Sequence, residues 1–382
     1  MKPIVIVGSG LAGFNTIKEF RKLDKDTPVI VLTADDGRNY SKPMLSAGFT
    51  KDKTADDLCM AMPEKVSEQF NVDVRTGVTV SEIDVENNTL LLPGDKLEYS
   101  QLVLALGADT WTPPLKGDAV GEVFSVNDLM DYSAFRKALD GKKTVTILGG
   151  GLIGCEFAND LSNGGFSVSL VEPVGRCLPL LLPEAASAAV GRGLESLGVT
   201  FHFGQLAQAV HHGDNGQLET ELADGSRIVS DIVLAAIGLR PRTALAEKAG
   251  LKVNRGILTD KQLRTNVDNI FALGDCAEVQ GHVLPYVLPL MAAARALAKT
   301  LAGEPTDVSY GVMPVTIKTP VCPVVVAPAA ADADGEWEIT EDGDNVQALY
   351  KGKDGQLLGY ALTGDAVKEK MKLNKELPPI MP

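Results

Sequence analysis

Three glycines recur at the same spacing in two places, and this repeat constrains the fold more than any other feature of the chain. Pro3-Ile-Val-Ile-Val-Gly8-Ser-Gly10-Leu-Ala-Gly13 reads as a buried strand, a glycine turn and a helix start. Thr144-Val-Thr-Ile-Leu-Gly149-Gly-Gly151-Leu-Ile-Gly154 reads the same way, with every glycine displaced by 141 residues. In such a turn the first glycine permits the sharp reversal, the second lets backbone approach a pyrophosphate, and the third lets helix pack on strand. The pyrophosphate then lies at the positive end of a helix. A second apolar strand follows each turn, Val29–Leu32 and Ser167–Val171, and each half closes on an apolar run ending in glycine, Leu102–Gly107 and Ile232–Gly238. The pattern predicts two nucleotide-binding βαβ units, one nested inside the other.

The length of 382 residues allows two or three domains. Beyond the second unit the pattern changes. Glu336–Thr340, Val346–Lys351 and Leu357–Thr363 read as strands separated by acidic or glycine-rich turns, which predicts a small antiparallel sheet. Asp365–Lys375 reads as a terminal helix stopped by Pro378-Pro379. The expected class is α/β: two nested Rossmann-like units plus a small α+β C-terminal domain.

Charge and cysteine usage exclude several functions. A formal net charge of −14 repels phosphate backbones and argues against nucleic acid as a partner. No apolar stretch approaches the roughly 20 residues of a membrane span, so no membrane insertion is expected. The apolar run after Met1-Lys2-Pro3 is too short for a signal peptide. Cys59, Cys155, Cys177, Cys276 and Cys322 form no CxxC or CxxxxC pair, so neither a local dithiol, a zinc ribbon nor an iron–sulfur module is expected. Scattered thiols fit a cytoplasmic protein.

The nested fingerprints, the glycine-ended strands and Asn269-Ile-Phe-Ala-Leu-Gly-Asp-Cys276 together resemble the pyridine-nucleotide disulfide oxidoreductase superfamily, with its glutathione-reductase-like fold. Within it, Thr33–Ser46 is most similar to the rubredoxin–NAD(+) reductases, which pass electrons from NADH through FAD to rubredoxin. The resemblance implies an FAD domain in two pieces, 1–109 and 239–307, an NAD domain, 110–238, and a C-terminal domain, 308–382. It implies FAD at Gly8, Ser9, Gly10, Leu11, Ala12 and Gly13, and at the strand end Thr33 and Ala34. No acid stands immediately at that strand end, so Thr33, Asp35 or backbone remain alternatives for the adenosine ribose. It implies NADH at Gly149, Gly151 and Gly154. There the residues speak for themselves as well: Glu172 stands 23 positions beyond Gly149, where a carboxylate accepts from ribose hydroxyls and repels a 2′-phosphate. Arg176 nearby leaves some NADPH use open.

The resemblance further implies that Val80, in a strand-like Val78–Val80, meets the adenine, and that Asp275 binds the ribityl chain. Cys276 beside it reads as a small packed residue. Val287 is implied at the flavin pyrimidine through its N–H, ahead of a helix over Leu290–Leu301 whose first turn tolerates Pro289. Lys42 and Glu156 are implied as an ion pair beside flavin N5, with Lys318 also within reach of the flavin.

The disulfide reductases of the superfamily carry a CxxxxC pair in their first helix, and Thr16–Arg21 has no cysteine. With no internal acceptor, electrons must leave to a separate molecule. Resemblance names rubredoxin, with alkane hydroxylation as the pathway served. Flavorubredoxin or a [2Fe–2S] ferredoxin, or a redox-sensing FAD/NADH-binding role, are the alternatives. Rubredoxins are themselves usually acidic, so a local basic patch or an apolar docking surface near the flavin edge must overcome the repulsion. Lys368, Lys370, Lys372 and Lys375 supply one candidate.

Overall fold

A computed structural model describes residues 1–382. Its framework is a pair of five-stranded parallel sheets. The first runs Ile270–Ala272, Gln101–Leu104, Ile4–Val7, Val29–Leu32, Asp73–Arg75. The second runs Val123–Phe124, Ile232–Ala235, Thr144–Leu148, Ser167–Glu172, Thr200–Phe203. Each fingerprint strand is the central one of its sheet. These strands are near-continuous Val/Ile/Leu runs because a parallel sheet is covered on both faces. Ile270–Ala272 returns to the first sheet after the whole second sheet has been built, so the second unit is an insertion in the first. The two chain crossings pair with each other: Ala108–Thr110 runs antiparallel to Leu239–Pro241.

The C-terminal segment forms a five-stranded antiparallel sheet ordered Val315–Ile317, Val324–Ala327, Leu357–Thr363, Asn345–Gly352, Gly335–Asp342. One face lies against the Glu184–Ser196 helix of the inserted unit. A side chain on Gly193 of that helix would press on Cys322, so glycine sets the close approach. Val315, Ile317, Val324, Val326 and Val346 consequently share one apolar core with Val145, Ile147, Leu170 and Leu234 of the second sheet.

Three expected elements differ. The terminal helix over Asp365–Lys375 is a 3-10 turn, Gly364–Glu369, followed by a single α turn, Lys370–Leu373. Leu373 is its one buried side chain, with Ala366 and Val367 partly buried beside it, and a segment that short has too little apolar surface to stabilise further turns. The helix expected from Leu290 begins at Val287, because Pro289 falls in a first turn where a missing N–H costs nothing. Val78–Val80 is extended chain outside any ladder, although Val80 is buried. No helix is long and apolar enough to cross a membrane.

One helix ties the units together. Leu152–Asn163, which starts at the second fingerprint, carries Asp160, and its buried carboxylate accepts from Phe49 N–H (2.8 Å), Thr50 N–H (2.8 Å) and the Thr50 hydroxyl (2.6 Å) of the first unit. Asn159 on the same helix accepts from Val321 N–H of the C-terminal sheet. Asp160→Ala leaves the buried Phe49 N–H unpaired and removes the acceptor of the more exposed Thr50 N–H, so urea denaturation should report a loss of about 1–3 kcal/mol. A loss within error of zero would mean that water takes over these contacts.

Candidate active site

Both glycine turns open into one continuous cavity of about 2330 Å³. That is well beyond the roughly 300–1,000 Å³ of a single small-ligand pocket and leaves room for two dinucleotides. The glycines divide by role in the same way in each unit. Gly8 and Gly149 have positive φ (119° and 105°), and a Cβ there would strike the carbonyl oxygens of Ala105 and Ala236. A Cβ on Gly13 would overlap the Gly8 carbonyl, and one on Gly154 the Gly149 carbonyl. The middle glycines, Gly10 and Gly151, face open space. Each is the N-cap of its helix, with no side-chain cap and no acid in the first turn. The first N–H groups are therefore free, and an anionic diphosphate is the group that such a cradle suits. Leu11 and Ala12 complete the first turn, and Ala34 lines the cavity beside it.

The two strand ends are register-equivalent, since Gly8 N–H donates to Leu32 O and Gly149 N–H to Val171 O, each at 2.8 Å. Thr33 thus occupies the place that Glu172 holds in the second unit. The acid missing there comes from the loop: the Ser9 and Thr33 hydroxyls converge on Asp35 Oδ1 at 3.0 and 2.6 Å, and Gly37 N–H joins them at 2.9 Å. Glu172 is buried and ties its own turn, accepting from Gly150 N–H (2.7 Å) and Val174 N–H (2.9 Å). Each oxygen keeps a lone pair for a ribose hydroxyl.

The expected Lys42–Glu156 ion pair is not formed. Glu156 is 1% exposed and its cation is Lys318. Lys318 N–H donates to Oε1 (2.9 Å) and Lys318 Nζ to Oε2, while the Ser46 hydroxyl donates to Oε2 at 2.6 Å. A carboxylate that deep must be paired. Lys318, directly beyond the Val315–Ile317 strand, brings both a backbone and a side-chain donor. Lys42 opens a short 3-10 helix, Lys42–Ser46, that turns Ser46 toward Glu156 and Lys42 the other way. Lys42 Nζ donates to Asn127 Oδ1 at 2.8 Å and stands 3.9 Å from Asp275 Oδ2. Burial lowers its pKa, and Asp275 opposes that shift.

Asp275 lies on the 3-10 turn Gly274–Cys276 and faces Lys42. Val287 is the first residue of its helix, whose cap Tyr286 offers no side-chain bond, so the N–H is free beside the cavity. Val80 lines the wall. The Cys276 thiol is buried, donates to Leu104 O and Leu273 O, and burial pushes its pKa up to about 11, the behaviour of a packed residue. Ser46 and Asn127 are additions from the structure. Ser46 stands in the loop that the sequence singles out, whereas Asn127 belongs to no recognisable pattern.

Residues 2–298 match the family described as pyridine nucleotide-disulphide oxidoreductase. The chain belongs to this family. Residues 307–377 match a second family, described as the rubredoxin binding C-terminal domain. The chain is 79% identical, over the full length of both proteins, to a rubredoxin-NAD(+) reductase of Alcanivorax borkumensis. It is 37% identical, over 98% of both, to a nitric oxide reductase FlRd-NAD(+) reductase of Aliivibrio fischeri. Among solved structures, a ferredoxin reductase from Rhodopseudomonas palustris aligns with a TM-score of 0.88 at 24% identity, over 99% of this chain and 96% of that one. That likeness speaks for the fold alone.

The glycine roles separate in experiment. Gly13→Ala should destabilise the FAD-free protein by about 1–3 kcal/mol through overpacking. Gly10→Val should leave its thermal unfolding midpoint in place and weaken FAD retention by about tenfold or more. Equal midpoint losses for the two variants would contradict the division.

Proposed function

We propose that this protein takes reducing equivalents from NADH onto FAD and passes them to rubredoxin. The observation that carries the reading is the single cavity joining both glycine cradles, because hydride transfer requires the two rings in contact. Bound FAD supplies the conversion of a two-electron donor into one-electron deliveries. The chain supplies placement and charge. The first cradle, with Thr33, Ala34, Asp35 and Val80, holds the FAD adenosine diphosphate, and the second, with Glu172, holds that of NADH. Asp275 takes the ribityl hydroxyls. The free N–H groups and helix dipole at Val287 stabilise negative charge on the reduced pyrimidine ring. Lys42, Glu156 and Lys318 line the site where the nicotinamide stacks and fix the charge there.

The acceptor follows from what the chain lacks and whom it resembles. All five cysteines are free, and the one close thiol pair, Cys155 and Cys177, is buried and does not line the cavity, so electrons leave the molecule. The 79% relative carries rubredoxin in its name, and residues 307–377 match a rubredoxin-binding domain, which favours rubredoxin over flavorubredoxin. NADH-driven reduction of rubredoxin, flavorubredoxin, a [2Fe–2S] ferredoxin and oxygen, measured side by side, tests this. Rubredoxin should show the highest kcat/KM, and a clear preference for ferredoxin would refute it.

A docking site at the C-terminal end follows from charge. Lys368 is engaged by Asp365, while Lys370, Lys372 and Lys375 have no carboxylate partner. Lys370→Glu combined with Lys372→Glu should lower kcat/KM for rubredoxin by about tenfold at low ionic strength, with the gap closing in high salt. Ferricyanide reduction should be unchanged. Equal rubredoxin kinetics at low salt would place docking elsewhere.

A further inference from the structure

Asn127 makes three hydrogen bonds, each to a different segment, and neither cradle uses any of them. It follows the Val123–Phe124 strand and precedes the Leu129–Ala138 helix, and it is 9% exposed. Its backbone is fixed by a reciprocal cap: Asp128 accepts from Asp131 N–H at 2.8 Å, and Asp131 Oδ2 accepts from Asn127 N–H at 2.9 Å. Its amide nitrogen donates to Ala108 O at 2.8 Å. That bond settles the orientation of the amide, since only an NH2 can face a carbonyl. The oxygen is thereby directed at Lys42 Nζ, 2.8 Å away.

We infer that Asn127 is a positioning residue for flavin reduction: it holds the Lys42 ammonium at the Asp275 side of the cavity and away from Glu156. Lys42 belongs to the first unit and Asn127 to the inserted one, so the lysine is gripped from the side on which NADH binds. Its other charged neighbours are Asp275, Asp128, Asp131 and Arg242. The carboxylates attract it diffusely, and only Asn127 gives it a directed bond within 3 Å. Glu156 is already supplied by Lys318 and Ser46, so a released Lys42 would compete with Lys318 for it. With Asn127 in place, the two lysines keep separate posts around the flavin site.

The inference rests on the flavin-binding reading of this cavity, and a double-mutant cycle tests it on the full chain. Asn127→Leu should slow bleaching of bound FAD by NADH about tenfold, the scale of one hydrogen bond to a charged group, and should shift the flavin midpoint potential. In a Lys42→Met background the same substitution should change neither quantity further. Independent, multiplying effects would overturn the inference and leave Asn127 a structural residue acting through Ala108. In the FAD-free protein, acylation of Lys42 by an amine reagent, followed by mass spectrometry, should be several-fold faster in Asn127→Leu. An unchanged rate would count against the hold. Asn127→Asp keeps the acceptor for Lys42 and loses the donor to Ala108. Values nearer the unsubstituted protein than those of Asn127→Leu support the inference, and values equal to them refute it. Should the unsubstituted chain neither bind FAD nor bleach with NADH, the functional reading fails, while the acylation comparison still decides whether Asn127 holds Lys42.

Discussion

The buried carboxylate of Glu156 is the point on which the assembly depends. A charge that deep is tolerable only with every oxygen occupied, and here three parts of the chain meet: the inserted unit brings the carboxylate on its helix, the first unit brings the Ser46 hydroxyl, and the C-terminal segment brings Lys318. One turn further along that helix, Asp160 repeats the arrangement on Phe49 and Thr50. Because an unpaired buried charge is costly, the three parts stay in register with one another around the shared cavity. The same residues that hold the fold together thus also line the cavity that both glycine cradles share.

Much of the framework was legible because its determinants are local and periodic. The glycine turns, the apolar strands and the meander of the last 75 or so residues each follow from spacing and composition. Even the nesting of one unit in the other followed from order along the chain. The terminal segment departs from a helix because a charged run with helix-forming residues looks the same in sequence whether or not its apolar residues dock as one helical stripe, and here Ala366, Val367, Leu373 and Leu377 reach the sheet from separate short turns. The start of the helix at Val287 was misplaced by three residues because proline in a first turn gives no sign of which side of it the helix begins.

The site was legible to the extent that one residue acts alone. Gly10, Gly151, Glu172, Asp275 and Val287 all line the cavity. Pairings were not legible. Lys42, Lys318 and Glu156 were all singled out, but which lysine meets the carboxylate depends on a 3-10 turn at Lys42–Ser46 and on a strand that arrives from 160 or so residues away. Asn127 as the partner of Lys42 and the Ser9 hydroxyl that reaches Asp35 share this property. Each acts through a contact between segments distant in sequence, which no single-chain pattern encodes.

The crossing ribbon of Ala108–Thr110 and Leu239–Pro241 carries a consequence of its own. The inserted unit leaves and rejoins its host through paired neighbouring strands, so its two ends lie one ladder spacing apart, roughly 5 Å. An interruption of that kind leaves the host sheet closed and adds no loop to be ordered. Adjacent ends of this kind let the inserted unit fold on its own core without pulling the host strands apart. The two units nonetheless tie their equivalent turns differently, the host with Ser9, Thr33 and Asp35 and the guest with Glu172.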